Sequence, residues 1–248
     1  MNINTAMILA GGLGTRFKEY TKDIPKPMIK ANGLPLIMHI INHYKRYEVK
    51  NFLILAGYKQ EIIYDYFKEN FKKFKTKNNT FSIQNNVHVK ILDTGEKTMT
   101  GGRIKQGLEL LNDEICYLTY GDGIANVDLN ELSKFHYKFN PLVTLTAVRP
   151  PARFGSLIIE NERVVSFNEK KQSNEGWING GYFIINQKVK EYIKNDSVSF
   201  EKEPLTAISK NQKLNAYMHS GLFRPVDTIR ELEILQEELT NNDFGFKK

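Results

Sequence analysis

The sequence predicts an α/β fold: a mostly parallel, twisted sheet with helices on both faces and a small β-rich addition in the C-terminal half. Two observations point there. Through the first half, short apolar runs alternate with stretches of helical periodicity, the pattern of a parallel sheet covered on both sides. After Pro150-Pro151 the pattern changes to short runs separated by turn residues.

Thr5–Ala10 reads as a buried strand. Pro35–Tyr47 reads as a helix, with Leu36, Ile37, Ile40, Ile41 and Tyr44 on one face. Asn51–Ala56 and Glu61–Phe71 give a second strand and helix. Val87–Leu92, Gly102–Leu111 and Cys116–Tyr120 repeat the theme. Asp128 is placed to cap the next helix, and Val143–Val148 is a further strand. In the second half, Leu157–Ile159 and Arg163–Phe167 flank a hairpin turn at Glu160-Asn161-Glu162. Gly181–Ile185 and Leu214–His219 read as strands and Thr228–Leu239 as a closing helix. No repeat or linker interrupts the chain. The expectation is one Rossmann-like domain over residues 1–248, its second half extending the same sheet.

Composition narrows the functional classes. With 41% hydrophobic and 25% charged residues, a folded core is expected rather than disorder. No apolar run is long enough to span a bilayer, and Met1–Ala6 lacks the basic start and cleavage site of a signal peptide. Together with a single cysteine, Cys116, read as a small core residue, this suits a cytoplasmic setting without a membrane partner. The net charge of +7 admits nucleic-acid binding, but the lysines are spread along the chain. The densest run, Lys68–Lys77, is interleaved with Phe71 and Phe74 and reads as a helix end. A lysine-rich surface plus a site for phosphorylated small molecules is the preferred reading, with no nucleic acid as partner. His39, His43, His88, His136 and His219 show no metal-ligand clustering.

The chemistry concentrates in a few segments. Gly11-Gly-Leu-Gly-Thr-Arg16 directly follows the first strand. Glycines there let backbone N–H groups approach phosphate oxygens, and Arg16 adds a bidentate cation. The spacing fits neither G-x-G-x-x-G nor a P-loop, and a loop of this kind alone could be a tight turn. In Pro25-Lys-Pro27 two prolines fix the backbone around Lys26. Asp122 lies between glycines at the end of a strand, where ligands collect in open α/β sheets. A turn aspartate is its plain alternative, and an N-cap that of Asp227.

Leu9-Ala-Gly-Gly-Leu-Gly-Thr-Arg16 followed by Pro25-Lys-Pro-Met28 resembles the sugar-1-phosphate nucleotidyltransferases. The resemblance continues in order through Asp93-Thr-Gly95, Thr98-Met-Thr-Gly-Gly-Arg103, Thr119-Tyr-Gly-Asp-Gly123, Arg153-Phe-Gly155, Phe167-Asn-Glu-Lys170, Gly176-Trp-Ile-Asn-Gly-Gly181, Glu203-Pro-Leu205 and Val226-Asp-Thr228. That set is similar to the glucose-1-phosphate cytidylyltransferases. It implies transfer of CMP from CTP to a phosphorylated acceptor, glucose 1-phosphate first, with release of pyrophosphate and Mg²⁺ as cofactor. It also implies a homo-oligomer in a bacterial route to a CDP-sugar for capsule or lipopolysaccharide.

The resemblance further implies the site. Leu9, Ala10, Gly11, Gly12, Leu13, Gly14, Thr15, Arg16, Lys26, Thr98, Arg103 and Gly121 would hold the nucleotide. Arg16, Lys26 and Asp122 would act in catalysis, and Asp122 and Asp227 would carry the metal. Glu169, Lys170, Asn179 and Gly180 would hold the acceptor, and Trp177 either shapes that pocket or packs as core. Two departures stand out. The stretch between Phe71 and Asp93 is short and lacks a tryptophan, and Leu222-Phe-Arg-Pro-Val-Asp227 carries Arg224 where the branch has glutamine. Arg224 is expected to add a cation beside the metal and acceptor. This keeps a second acceptor open, another sugar phosphate or a phosphoglutamine-type capsule precursor. A non-catalytic nucleotide sensor on the same fold is the alternative of another class.

Overall fold

Thr5–Ala10 is buried at every position and forms β1, near the middle of a nine-stranded sheet. The computed structural model describes residues 3–17, 21–73, 79–83, 86–150, 156–168 and 176–245. The strands that follow are β2 (Lys30–Ala31), β3 (Leu34–Pro35), β4 (Asn51–Ala56), β5 (Lys72–Lys73), β6 (Thr80–Ile83), β7 (Val87–Asp93) and β8 (Ile115–Tyr120). Then come β9 (Gly123–Ala125), β10 (Val143–Val148), β11 (Ser156–Glu160), β12 (Arg163–Asn168), β13 (Ile178–Asn186), β14 (Leu214–His219) and β15 (Phe223–Pro225). The α-helices are α1 (Leu36–Lys45), α2 (Gln60–Asn70), α3 (Thr100–Leu110), α4 (Leu129–Phe139), α5 (Glu203–Lys210) and α6 (Ile229–Asn241).

The sheet runs β14-β10-β13-β8-β1-β4-β7-β6-β5. The pairs β1 with β4, β1 with β8, β4 with β7 and β10 with β14 are parallel; β13 is antiparallel to both β8 and β10. The chain therefore leaves β1 toward β4 and β7, then crosses back to place β8 on the other side. Such a reversal opens a crevice at the carboxyl ends of β1 and β8.

Alternation along the strands builds one core on each face. Ala6, Ile8, Phe52 and Ile54 face α1, α2, α4 and α6, whereas Met7, Leu9, Leu53 and Leu55 face α3 and α5. Cys116 is fully buried in the second core, which pushes its thiol pKa well up and leaves it a packing residue.

Several elements differ from the sequence expectation. The run at Lys68–Lys77 is a helix end only as far as Asn70, where α2 stops; Lys72–Lys73 pair with β6 at the sheet edge, and residues 74–77 lie outside the described residues. The first helix begins at Leu36 because Pro35, extended at φ −57° and ψ 146°, serves as its N-cap. Asp128 caps α4 as its sequence suggests, accepting from the backbone N–H groups of Asn130 and Glu131. The hairpin turn closes on Asn161 and Glu162, both at positive φ, so β11 runs through Glu160.

Candidate active site

The crevice is walled by the loop after β1 and by the turn after β8, and a backbone bond ties them: Gly121 N donates to Leu9 O at 2.9 Å. Leu9 and Ala10 end β1 as buried residues, while Gly12, Leu13 and Thr15 stand exposed. Gly14 adopts φ +63°, and a Cβ there would lie 2.6 Å from Thr21 Cγ2. Thr21 closes this bend by donating its hydroxyl to the carbonyls of Gly14 and Phe17, at 3.0 Å each. Arg16 lies in the single 3₁₀ turn Thr15–Phe17.

Lys26 opens another such turn, Lys26–Met28, and is only 7% exposed. Its Nζ donates to Asp122 Oδ2 at 2.6 Å and to Asp227 Oδ1 at 2.5 Å. Strand pairing explains why those carboxylates meet. β15 runs antiparallel to β9 with Pro225 opposite Gly123, and Val226 N donates to Asp122 O at 3.1 Å. Asp122 thus stands opposite Val226, the residue before Asp227, which brings both carboxylates within reach of one ammonium. Asp227 is not the cap of α6; Thr228 fills that role by accepting from Glu231 N, and Glu231 Oε2 in turn accepts from Asp227 N. Burial works against the charge on Lys26, but Asp122 and Asp227 outweigh it and hold its pKa above the ordinary lysine value. The lysine's share of this pairing is thus fully present at neutral pH and is lost as pH rises through that raised value.

Arg103 is placed differently from expectation. It is 3% exposed, and its guanidinium is taken up by the protein. Nη1 donates to Ala56 O at 3.0 Å, Thr94 Oγ1 at 2.5 Å and Gly95 O at 2.9 Å; Nη2 donates to Gly11 O at 2.9 Å and Glu96 O at 3.2 Å. One side chain thereby pins the loops after β1, β4 and β7. It fits only because residues 11 and 57 are glycines: a Cβ at either would lie 2.2 Å from Nη1. Thr98 adjoins the same turn, with its Oγ1 3.1 Å from where a Gly95 Cβ would stand. Gly11→Ala should therefore destabilise the fold by about 1–3 kcal/mol and raise the KM for nucleotide several-fold. Melting curves and nucleotide saturation check this; an unchanged melt and KM would show that the slot has slack.

Arg224 requires a correction. It does not add a cation to the site. It is 7% exposed and turned to α6, donating from Nε to Glu238 Oε2 at 2.9 Å and from Nη2 to Glu238 Oε1. The argument for a more anionic acceptor falls with it. Trp177 is not core: it is 43% exposed, with the Arg149 guanidinium stacked 4.0 Å from its ring centroid.

β13 begins where antiparallel β8 ends, so Asn179 stands beside Tyr120, which is two residues before Asp122. Gly180 is buried against Val148 and the Thr146 carbonyl. Glu169 and Lys170 lie outside the described residues. Sequence reasoning missed Tyr120 and Glu201, which share a 2.6 Å hydrogen bond here; the aromatic directly before Gly121-Asp122 was the available signal. The histidines stay out of this chemistry. Burial pulls His43 down to about 3 and His136 down to about 4, so both are neutral packing residues. Among the described residues, no three His, Cys, Asp or Glu side chains form a cluster able to hold a metal by themselves, and no helix is long and apolar enough to cross a membrane.

A glycine-rich loop at a sheet's switch point, with a lysine and two carboxylates meeting at the end of the neighbouring strand, defines a class: the chain belongs to the nucleotidyl transferase family, whose model matches residues 5–222. Within it, the chain falls in the branch of the glucose-1-phosphate cytidylyltransferases. It is 40% identical over 243 residues to the glucose-1-phosphate cytidylyltransferase of Salmonella typhi, covering 93% of this chain and 94% of that one. It is 37% identical over 240 residues to a probable glucose-1-phosphate cytidylyltransferase of Bacillus subtilis, covering 92% of each. The fold is also that of HddC from Yersinia pseudotuberculosis, solved with GMP-PN, at a TM-score of 0.72 and 24% identity over 96% of this chain and 100% of that one.

Proposed function

We propose that the protein transfers CMP from CTP to glucose 1-phosphate. An acceptor phosphate oxygen attacks the α-phosphorus of CTP, the bond to the β-phosphate breaks, and pyrophosphate leaves. Both reactants are anionic, so catalysis is a matter of positioning and charge neutralisation. The observation that carries this reading is the meeting of Lys26, Asp122 and Asp227 next to Gly121, which is bonded to Leu9 where β1 enters the glycine-rich loop.

In this reading, Gly11, Gly12, Leu13, Gly14 and Thr15 cradle the triphosphate through backbone N–H groups, and Arg16 joins them. Arg103 acts through the loop, holding the Gly11 carbonyl inward so that neighbouring N–H groups face out. Thr98 and Gly121 border the nucleotide. Lys26 neutralises the transferring phosphoryl group. Glu169, Lys170, Asn179 and Gly180 hold the acceptor.

The residues present fit Mg²⁺. Two carboxylates already converge on one cationic point, and their side chains keep 38% and 21% exposure, so oxygen ligands are within reach of solvent and phosphate. Asp122 and Asp227 would hold the ion, with Lys26 released toward the phosphates. Bound there, the ion would offset the negative charge of the phosphates. A single domain acting in the cytoplasm as a homo-oligomer belongs to the same reading.

A nucleotide scan tests it. With glucose 1-phosphate and Mg²⁺, pyrophosphate release should favour CTP over UTP, dTTP and GTP by about a hundredfold in kcat/KM. Preference for another triphosphate would overturn the base assignment. Turnover of CTP with a different phosphorylated acceptor but not with glucose 1-phosphate would move the acceptor alone.

A further inference from the structure

Five side chains between the carboxyl end of β8 and the start of α3 form a chain of hydrogen bonds with a fixed direction. Glu201 Oε2 accepts from Thr100 Oγ1 at 2.7 Å and from Ser199 Oγ at 2.6 Å. Glu201 Oε1 accepts from Tyr120 Oη at 2.6 Å. Tyr120 Oη accepts in turn from Asn179 Nδ2 at 3.2 Å, and Asn179 Oδ1 accepts from Gly181 N at 2.9 Å.

Donor and acceptor inventories set the direction. An ionised carboxylate only accepts, and a phenol has one proton to give. With that proton on Glu201, the Tyr120 oxygen faces Asn179 as an acceptor, so Asn179 must turn its nitrogen that way. The backbone N–H of Gly181 demands the amide oxygen on the other side and so selects the same orientation. Burial opposes the charge on Glu201, yet the donors Ser199, Tyr120 and Thr100 outweigh it and hold its pKa below the ordinary carboxylate value. A phenol holds its proton at neutral pH, so the short bond to Glu201 is donated by Tyr120. Among the described residues these bonds leave Asn179 one N–H and one lone pair, in a set order, beside Tyr120.

We propose that Glu201 and Tyr120 are positioning residues that lock the orientation of the Asn179 amide and so set which pattern of acceptor hydroxyls the site selects. The proposal rests on the acceptor role given to Asn179 above. Thr100 serves the same chain, which gives the Thr-Met-Thr-Gly-Gly segment a function on the acceptor side.

Two variants test this. Tyr120→Phe removes the oxygen and keeps the ring, which packs edge-on against Phe183. Glu201→Gln keeps the shape but can donate to Tyr120 and reverse the chain. Each should raise the KM for glucose 1-phosphate about tenfold, the worth of one hydrogen bond to a charged or ordered partner. KM for CTP should stay within about twofold, and the preference for glucose 1-phosphate over its epimers should shrink. The double variant should cost no more than the larger single one, because both break one chain. Unchanged acceptor KM and epimer preference, or equal losses for CTP, would overturn the proposal. The Asn179 side-chain amide resonances, assigned through Asn179→Asp, give a readout free of turnover: one protected pair in the wild type that broadens in both variants. Sharp, unchanged resonances in the variants would also overturn it. A wild type that shows the protected pair but does not use glucose 1-phosphate would instead refute the acceptor reading and leave the lock standing.

Discussion

Lys26→Met should lower kcat on the order of 10³-fold while the protein still folds. The side chain places an ammonium between Asp122 and Asp227, at 2.6 and 2.5 Å. Removing it takes a positive charge from the place where phosphoryl charge must be neutralised. Loss of one preorganised donor of this kind is worth about 10²–10³ in rate, and bonding to both carboxylates places Lys26 at the upper end. The stability cost should be small, about 1 kcal/mol, because both carboxylates retain solvent contact. Single-turnover rates at saturating substrate, beside thermal melts, check both halves. A kcat within tenfold of the wild type would remove Lys26 from the chemistry.

Glu238→Ala should be the most destabilising of the substitutions considered. Glu238 is 6% exposed and Arg224 is 7% exposed, and the two share two hydrogen bonds. Truncating one partner leaves a buried, uncompensated guanidinium, at a cost of about 3–5 kcal/mol. In a chain of this length that lowers the melting midpoint by roughly 10 °C. The double replacement Arg224→Met with Glu238→Leu should recover most of the loss, because apolar residues of similar volume remove both desolvation costs. Denaturant midpoints of the two singles and the double close the cycle. A single substitution as mild as a surface change would mean that water or another group reaches the pair.

The sequence carries the sheet well where its signal is local. β1, β4, β10 and β14 fall at the residues their apolar runs indicate, because each run is bounded by polar or turn residues. It carries poorly what depends on distant partners. β5 and β15 are two and three residues long and exist only through β6 and β9, while α5 hides behind Pro204 in its first turn. The same division holds at the site. Lys26 and Asp122 stand out through the glycines and prolines around them. The meeting of Lys26 with Asp227 bridges 201 positions and has no local signature. The two arginines mark the limit most clearly. A cation beside glycines reads as a ligand group, yet Arg103 and Arg224 are consumed by carbonyls and by Glu238. One clue was present: Glu238 continues the buried stripe of Leu232 and Leu235 on α6, and a carboxylate in an apolar stripe implies a buried cation.

The central claim is that Lys26, Asp122 and Asp227 form one centre for transfer of CMP to a sugar phosphate. Phosphorus NMR of the protein with CTP, Mg²⁺ and glucose 1-phosphate tests it most directly, run beside Asp122→Asn protein that melts like the wild type. The account predicts CDP-glucose and pyrophosphate appearing in equal amounts, with the variant slower by on the order of 10³-fold. Pyrophosphate without a CDP-linked product, or a variant as fast as the wild type, would contradict it.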